Sequence, residues 1–184
     1  MNTQPAQPAS PYFFAKQTAK RETHTLSIVV DNEPGVLARV IGLFSGRGYN
    51  IDSLTVSETE HAKHLSRITI VTTGLPSVIE QIKAQLARMV PVHSVRDLTA
   101  EGRALERELA LVKVAGKGEN RVEALRLADA FHAEVIDATT EHFIFEVIGK
   151  TSKIEQFVAV MAPLGLVEVC RTGIAALSRG SAGM

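Results

Sequence analysis

An order of predicted elements that occurs twice is the feature of this sequence that most constrains its fold. In the first half, Leu26, Ile28 and Val30 alternate with their neighbours, which predicts a strand with one buried face. Apolar residues then recur every three or four positions over residues 36–44, which predicts an amphipathic helix. Two strands, a second helix and a closing strand follow. Residues 109–172 repeat this order, so each half predicts a β-α-β-β-α-β unit.

The same patterns place the boundaries of the chain. Residues 1–22 are rich in Pro, Gln, Ala and Thr and are predicted to form a disordered extension. The first unit then covers residues 23–99, a polar connector covers 100–107, and the second unit covers 108–184. The predicted strands start near residue 24 and lie at about 49–57, 66–73, 92–98, 109–115, 135–138, 143–149 and 166–172, and the predicted helices at about 35–47, 76–89, 120–132 and 154–161.

Two such units make an α+β protein of two ferredoxin-like domains. In that fold the strands of each sheet run in the order 4-1-3-2, so the second strand lies at an edge. Exposed edges pair readily with another copy, because their backbone N–H and C=O groups are unsatisfied. We therefore expect a homodimer formed through the edge strands of the first unit.

Composition excludes several classes of protein. Lys plus Arg and Asp plus Glu both number 20, so the formal net charge is zero and no global basic field favours nucleic acid or an anionic membrane. No apolar run approaches the length that spans a bilayer, and the first residues lack a signal-peptide core. The single cysteine, Cys170, allows no intrachain disulfide, which fits a cytoplasmic protein.

The junction between the first strand and helix is the candidate binding site. The strand ends at Asn32, Gly35 opens the helix, Gly48 ends it, and Asn50 opens the next strand. We expect backbone N–H groups and both side-chain amides near one helix N-terminus, where a small zwitterion would place its carboxylate. Because Asn50 opens the predicted edge strand, the pocket can be completed across the dimer interface. The alternative is local: Asn32 as the N-cap and Gly35 as a first-turn residue.

Other candidate sites are weak. His61 and His64 have metal-ligand spacing, but no third ligand or cysteine lies nearby, so no metal site is predicted. The run 116–118 (GKG) matches no phosphate-binding motif and is predicted to be an ordinary turn. Cys170 lies in an apolar strand and is expected to be buried. No nucleophile, base and acid set occurs, so no catalytic residue is predicted.

Two other classes share this topology. RNA-recognition domains need stacking aromatics on the central strands, whereas residues 68–71 read ITIV and aromatics make up only 5% of the chain. Heavy-metal-binding domains need a cysteine pair in the first loop, where this chain has NEPG at residues 32–35.

Five segments carry a resemblance to a known family. Residues 32–44 (NEPGVLARVIGLF) and 47–56 (RGYNIDSLTV) closely resemble the small, regulatory subunit of acetolactate synthase (acetohydroxyacid synthase). The resemblance continues through residues 65–71 (LSRITIV), 106–113 (ERELALVK) and 171–180 (RTGIAALSRG) and covers about residues 23–180. It implies an N-terminal ACT domain and a C-terminal ACT-like domain.

The resemblance also implies the function. Such a subunit is a non-catalytic dimer that activates a separate catalytic subunit and confers feedback inhibition by valine, sometimes with leucine or isoleucine. The catalytic subunit carries thiamine diphosphate, magnesium and FAD and condenses 2-oxo acids in branched-chain amino-acid biosynthesis, so no cofactor is expected in this chain. The effector site of the family maps onto Asn32, Gly35 and Asn50, with Val36, Leu37 and Ile51 as neighbours.

Two further hypotheses stay open from the sequence. A stand-alone ACT-type regulator, such as a transcriptional sensor, would need a DNA-reading element, and no helix-turn-helix or basic face is evident. A small metabolic enzyme on a ferredoxin-like fold would show activity without a partner.

Overall fold

Four α-helices and nine strands form two consecutive units in the computed structural model, which describes residues 20–184 apart from residues 61, 63, 103 and 182. The first unit consists of β1 (Glu22–Asp31), α1 (Val36–Gly46), β2 (Ser53–Glu60), β3 (Leu65–Gly74), α2 (Pro76–Leu86) and β4 (Val92–Asp97). The second consists of β5 (Ala104–Val114), α3 (Glu119–Ala130), β6 (Glu134–Ala138), β7 (Phe143–Gly149), α4 (Thr151–Met161), β8 (Leu166–Arg171) and β9 (Ala175–Ser178). The predicted extension over residues 1–22 lies almost wholly outside the described residues.

Each unit builds one antiparallel sheet. The strand order is β2-β3-β1-β4 in the first sheet and β6-β7-β5-β8 in the second, so β2 and β6 are edge strands. The α+β class and the ferredoxin-like order predicted from the sequence are confirmed.

The apolar positions of β1 face the first core, whereas the intervening Thr25 and Ser27 are buried on the opposite face of the sheet. Leu26 and Ile28 of β1 are fully buried and pack against Val40 and Phe44 on the inner face of α1. A second, separate core has Phe145 and Phe157 among its fully buried members. Burying a large side chain of this kind contributes about 1.5–3 kcal/mol, so each unit has its own apolar driving force. Among the described helices, none has the length and apolar character needed to cross a membrane.

The start of α1 differs from the predicted one. Gly35 is the N-cap rather than a first-turn residue, with φ 87° and ψ −10° in the left-handed region. A left-handed residue cannot continue a right-handed helix, so α1 begins at Val36. The helix ends at Gly46, and Gly48 turns the chain with φ 69°.

A ribbon of two strand segments was not predicted. Residues 104–107, expected to belong to a polar connector, form the start of β5 and pair with β9, which has no counterpart among the predicted strands. This ribbon lies against the face of the first sheet opposite its helices. The Ile174 N–H donates to Ser53 Oγ (2.9 Å), the Thr25 hydroxyl donates to Glu106 Oε1 (2.6 Å), and Ala176 is buried.

Candidate functional site

The loop between β1 and α1 holds the first half of the candidate site. The Asn32 N–H donates to the His64 carbonyl (2.7 Å), which fixes the loop beside the turn from β2 to β3. The Asn32 side chain is exposed and has no hydrogen-bond partner among the described residues. The Arg39 N–H bonds to the Gly35 carbonyl (3.0 Å) and the Val36 N–H to the Glu33 carbonyl (3.3 Å).

Three other N–H groups at this helix end remain free. Within the described residues, the backbone N–H groups of Gly35, Leu37 and Ala38 have no acceptor. Together with the positive end of the helix dipole they favour an oxyanion such as a carboxylate. The local alternative is therefore wrong in one respect: Asn32 does not act as the N-cap, because Gly35 occupies that position without a side-chain bond.

Asn50 forms the second half of the site and lies beyond the other end of α1. The Thr72 hydroxyl donates to the Asn50 carbonyl (2.6 Å), and the Asn50 Nδ2 donates to Asp52 Oδ1 (2.5 Å). Asp52 Oδ2 in turn accepts from the Thr73 hydroxyl (2.6 Å). The Asn50 Oδ1 has no partner within the described part of the chain, so it is available as an acceptor.

The two halves are not adjacent in one chain. Asp31, before the first loop, pairs with Leu65 at one end of β3, whereas Asn50 contacts Thr72 near the other end. Seven strand residues separate these contacts by about 23 Å. The expectation that both amides lie near one helix N-terminus is thus wrong within a single chain, because α1 connects the two loops and separates them by about 16 Å of helix.

The apolar residues named with the site have different surroundings. Val36 is 2% exposed and its side chain belongs to the first core, so only its backbone faces the loop. Leu37 is 37% exposed beside the free N–H groups. Ile51 is partly buried against the first core, next to Asn50.

The expectation that Cys170 is buried is wrong, because its side chain is exposed. It pairs with Leu111, which faces away from the second core between the buried residues Ala110 and Val112. Cys170 therefore lies on the face of the sheet opposite the second core, in the edge strand β8, and its side chain is exposed there. Apolar neighbours in the sequence therefore did not mean burial.

The remaining candidates contribute no site. The described residues include no group of three or more His, Cys, Asp or Glu side chains arranged to hold a metal ion, and His61 lies outside them. Gly118, the last residue of the 116–118 turn, is the N-cap of α3.

A cavity of about 1020 Å³ lies between the two units. On its wall the buried Glu108 carboxylate accepts from Arg171 Nε and Nη2 (2.6 and 2.8 Å). This hydrogen bond raises the pKa of Arg171 above its usual range, because it stabilises the charged guanidinium. Both residues belong to the second unit, so the pair links β5 to β8 at the cavity wall.

Comparisons with known proteins match both units. Residues 26–94 match the family described as "AHAS small subunit-like ACT domain", and residues 107–180 match "Small subunit of acetolactate synthase". The acetolactate synthase isozyme 3 small subunit of Salmonella typhimurium is 44% identical over 156 residues, which are 84% of this chain and 94% of that protein. The acetolactate synthase small subunit of Mycobacterium leprae is 43% identical over 162 residues, or 88% and 95% of the two chains.

A solved structure agrees with these matches over both units. The crystal structure of the acetolactate synthase small subunit from Thermotoga maritima superposes with a TM-score of 0.79 at 37% identity, covering 88% of this chain and 99% of that one. The element order, the two family matches and this superposition all cover the same two units, and the chain therefore belongs to the family of acetolactate synthase small subunits.

Proposed function

We propose that this chain is the amino-acid-sensing regulatory subunit of acetolactate synthase. It has no catalytic activity of its own, raises the activity of the catalytic subunit and makes that subunit sensitive to valine. The thiamine diphosphate, magnesium and FAD that the reaction needs belong to the catalytic subunit. The observation that carries the proposal is the pair of half-sites, one with free N–H groups and one with a free amide oxygen, at opposite ends of a sheet with a free edge.

A second copy can bring the half-sites together. The edge strand β2 runs from Ser53, near Asn50, to Glu60, near the start of β3 and the Asn32 loop. If two copies pair antiparallel through β2, the Asn50 end of one strand meets the Glu60 end of the other. Asn50 of one copy then lies at the same end of the sheet as Asn32 and Gly35 of its partner, and a dimer holds two equivalent composite sites.

The composite site has the chemistry of an α-amino acid. The free N–H groups of Gly35, Leu37 and Ala38 receive the carboxylate, and Asn50 Oδ1 of the other copy accepts from the ammonium. The exposed side chain of Leu37 and the partly buried Ile51 supply apolar contact for a branched aliphatic side chain. Valine fits this combination of groups.

Sensing and activation are separable in this arrangement. An effector can shift an equilibrium only by its differential affinity for the two states, so valine acts when the dimer arrangement it favours has weaker activating contacts with the catalytic subunit. The contacts that raise basal activity need not include the effector site.

Reconstitution with the catalytic subunit tests the proposal. We expect the purified chain to turn over no pyruvate alone, to activate the catalytic subunit, and to make it valine-sensitive. Asn50→Ala should keep activation but require roughly 5- to 150-fold more valine, since it removes one buried hydrogen bond to the ligand. Asn120→Ala, at an exposed helical asparagine of the second unit, is the matched control and should leave valine sensitivity unchanged. Wild-type sensitivity in Asn50→Ala would refute the site.

A further inference from the structure

Asp52 holds the side chain of Asn50 in one orientation. Its Oδ1 accepts from Asn50 Nδ2 (2.5 Å) while its Oδ2 accepts from the Thr73 hydroxyl (2.6 Å). The Asp52 N–H also donates to the Val71 carbonyl (2.8 Å), so the backbone carrying the carboxylate is fixed on β3. Both oxygens and the main chain of Asp52 are thus engaged, and the contact with Asn50 comes from a well-anchored group.

A carboxylate in this position decides which atom Asn50 offers to a ligand. An ionised carboxylate only accepts hydrogen bonds, whereas an asparagine amide has one acceptor oxygen and one donor nitrogen. Beside Asp52 the amide must direct its nitrogen inward, and its oxygen then points away from Asp52. The bond is charge-assisted and therefore stronger than one between two neutral groups.

We propose, building on the effector site above, that Asp52 is a positioning residue that makes the site select an amino acid over the corresponding 2-oxo acid. Valine carries an ammonium, which donates hydrogen bonds and needs the Asn50 oxygen. Its 2-oxo analogue carries a carbonyl at the same carbon, which only accepts and would need the Asn50 nitrogen. The two molecules share a carboxylate and an aliphatic side chain, so this amide is the contact that distinguishes them.

This selection matters for a feedback site. Acetolactate synthase acts on 2-oxo acids, so a sensor that accepted a 2-oxo acid would respond to molecules of the substrate's own class. Because Asp52 fixes the Asn50 oxygen toward the ligand, the site discriminates against 2-oxo acids.

The experiment uses calorimetric titration of the full chain with valine and with 2-oxoisovalerate. Asp52→Asn removes the acceptor-only group and lets the amide of Asn50 adopt either orientation. We expect the preference for valine, expressed as the ratio of the 2-oxoisovalerate and valine dissociation constants, to fall about 10-fold, because reversing the amide no longer costs the bond to Asp52. Asp52→Glu keeps an acceptor-only carboxylate and should remain within about three-fold of the wild type for valine.

Thr73→Val tests whether the bond from Asp52 to Asn50, and not the bond from Asp52 to Thr73, controls how the site binds valine. It removes the Thr73 bond to Asp52 but leaves the Asp52 bond to Asn50, so valine affinity should stay within about three-fold of the wild type. Thermal unfolding of all variants monitors folding.

The outcomes distinguish this inference from the proposed function. If the wild-type chain does not bind valine, the proposed function fails. If it does bind valine, the role of Asp52 is refuted when Asp52→Asn keeps the wild-type ratio of the two dissociation constants, or when Thr73→Val lowers that ratio as much as Asp52→Asn does.

Discussion

Gly35 has a left-handed backbone conformation, and the space where a side chain would begin is open. Its φ is 87°, yet a Cβ added there would meet no other atom within 4 Å. Any substitution therefore acts through backbone strain and, in the proposed site, on the ligand, and not through a clash within the described residues. An Asp at this position would occupy the left-handed N-cap rather than the first helical turn, so it would carry backbone strain. Asn and Asp are still the residues that tolerate this region best.

Two substitutions of similar shape at Gly35 separate the effect of charge on valine binding from the effect of backbone strain on stability. Gly35→Asn and Gly35→Asp have nearly the same shape, and each should cost roughly 1–2 kcal/mol of unfolding free energy. Only the aspartate opposes an incoming carboxylate, so its valine requirement should exceed that of the asparagine variant by about 10-fold or more. Chemical denaturation and valine inhibition of the reconstituted enzyme measure both effects. Equal valine requirements would contradict a carboxylate at this helix end.

At the scale of elements, the ribbon of β9 and the start of β5 connects the two units. Gly173 leads into β9 with φ 82°, and a Cβ there would lie 2.9 Å from both Ser53 Oγ and Thr55 Oγ1. The backbone must approach β2 this closely for the Ile174 N–H to reach Ser53. The ribbon therefore needs glycine at this position for two independent reasons.

Gly173→Ala should loosen the contact between the units. We expect a loss of about 2–4 kcal/mol, which combines left-handed strain with overpacking against β2. Gly102→Ala is the control, because Gly102 has φ 65° but nothing within 4 Å of a Cβ, so only the strain of roughly 1–2 kcal/mol applies. Urea denaturation gives both values. If the two variants lose the same stability, the close approach at Gly173 contributes nothing.

At the scale of the whole molecule, the proposed dimer would hold two composite sites, because Gly35 and Asn50 are separated within one chain. Each proposed site takes its helix end from one copy and its amide from the other. In a homodimer of one variant, both sites therefore carry the same defective half. In a heterodimer of two different variants, both defects fall in one site and the other site is intact.

Mixing Gly35→Asp with Asn50→Ala chains tests this arrangement. Each variant alone should be valine-resistant. After co-expression, about half of the dimers are mixed and carry one intact site, so partial valine inhibition should return. Wild-type chains mixed with each variant provide the scale for that recovery. Resistance that persists in the mixture would show that each site lies within one chain, or that the chain does not dimerise through β2.

The sequence alone determined the two units, their element order and the family. Phe143–Gly149 is a strand with the predicted bounds, and α1 and α2 lie within their predicted ranges, because apolar periodicity reports which face of an element is buried. The sequence also named Asn32, Gly35 and Asn50, and it contains the short spacing between Asn50 and Asp52 that could have indicated their hydrogen bond.

Only the tertiary structure decided where those residues lie relative to one another. Asn50 is distant from Gly35 within the chain, Cys170 is exposed, and residues 104–107 form a strand with β9. Each of these results depends on a pairing between segments far apart in sequence: β1 with β3, β5 with β8, and β5 with β9. Local periodicity carries no information about such partners, because the free energy that selects them comes from contacts formed only after the chain has folded.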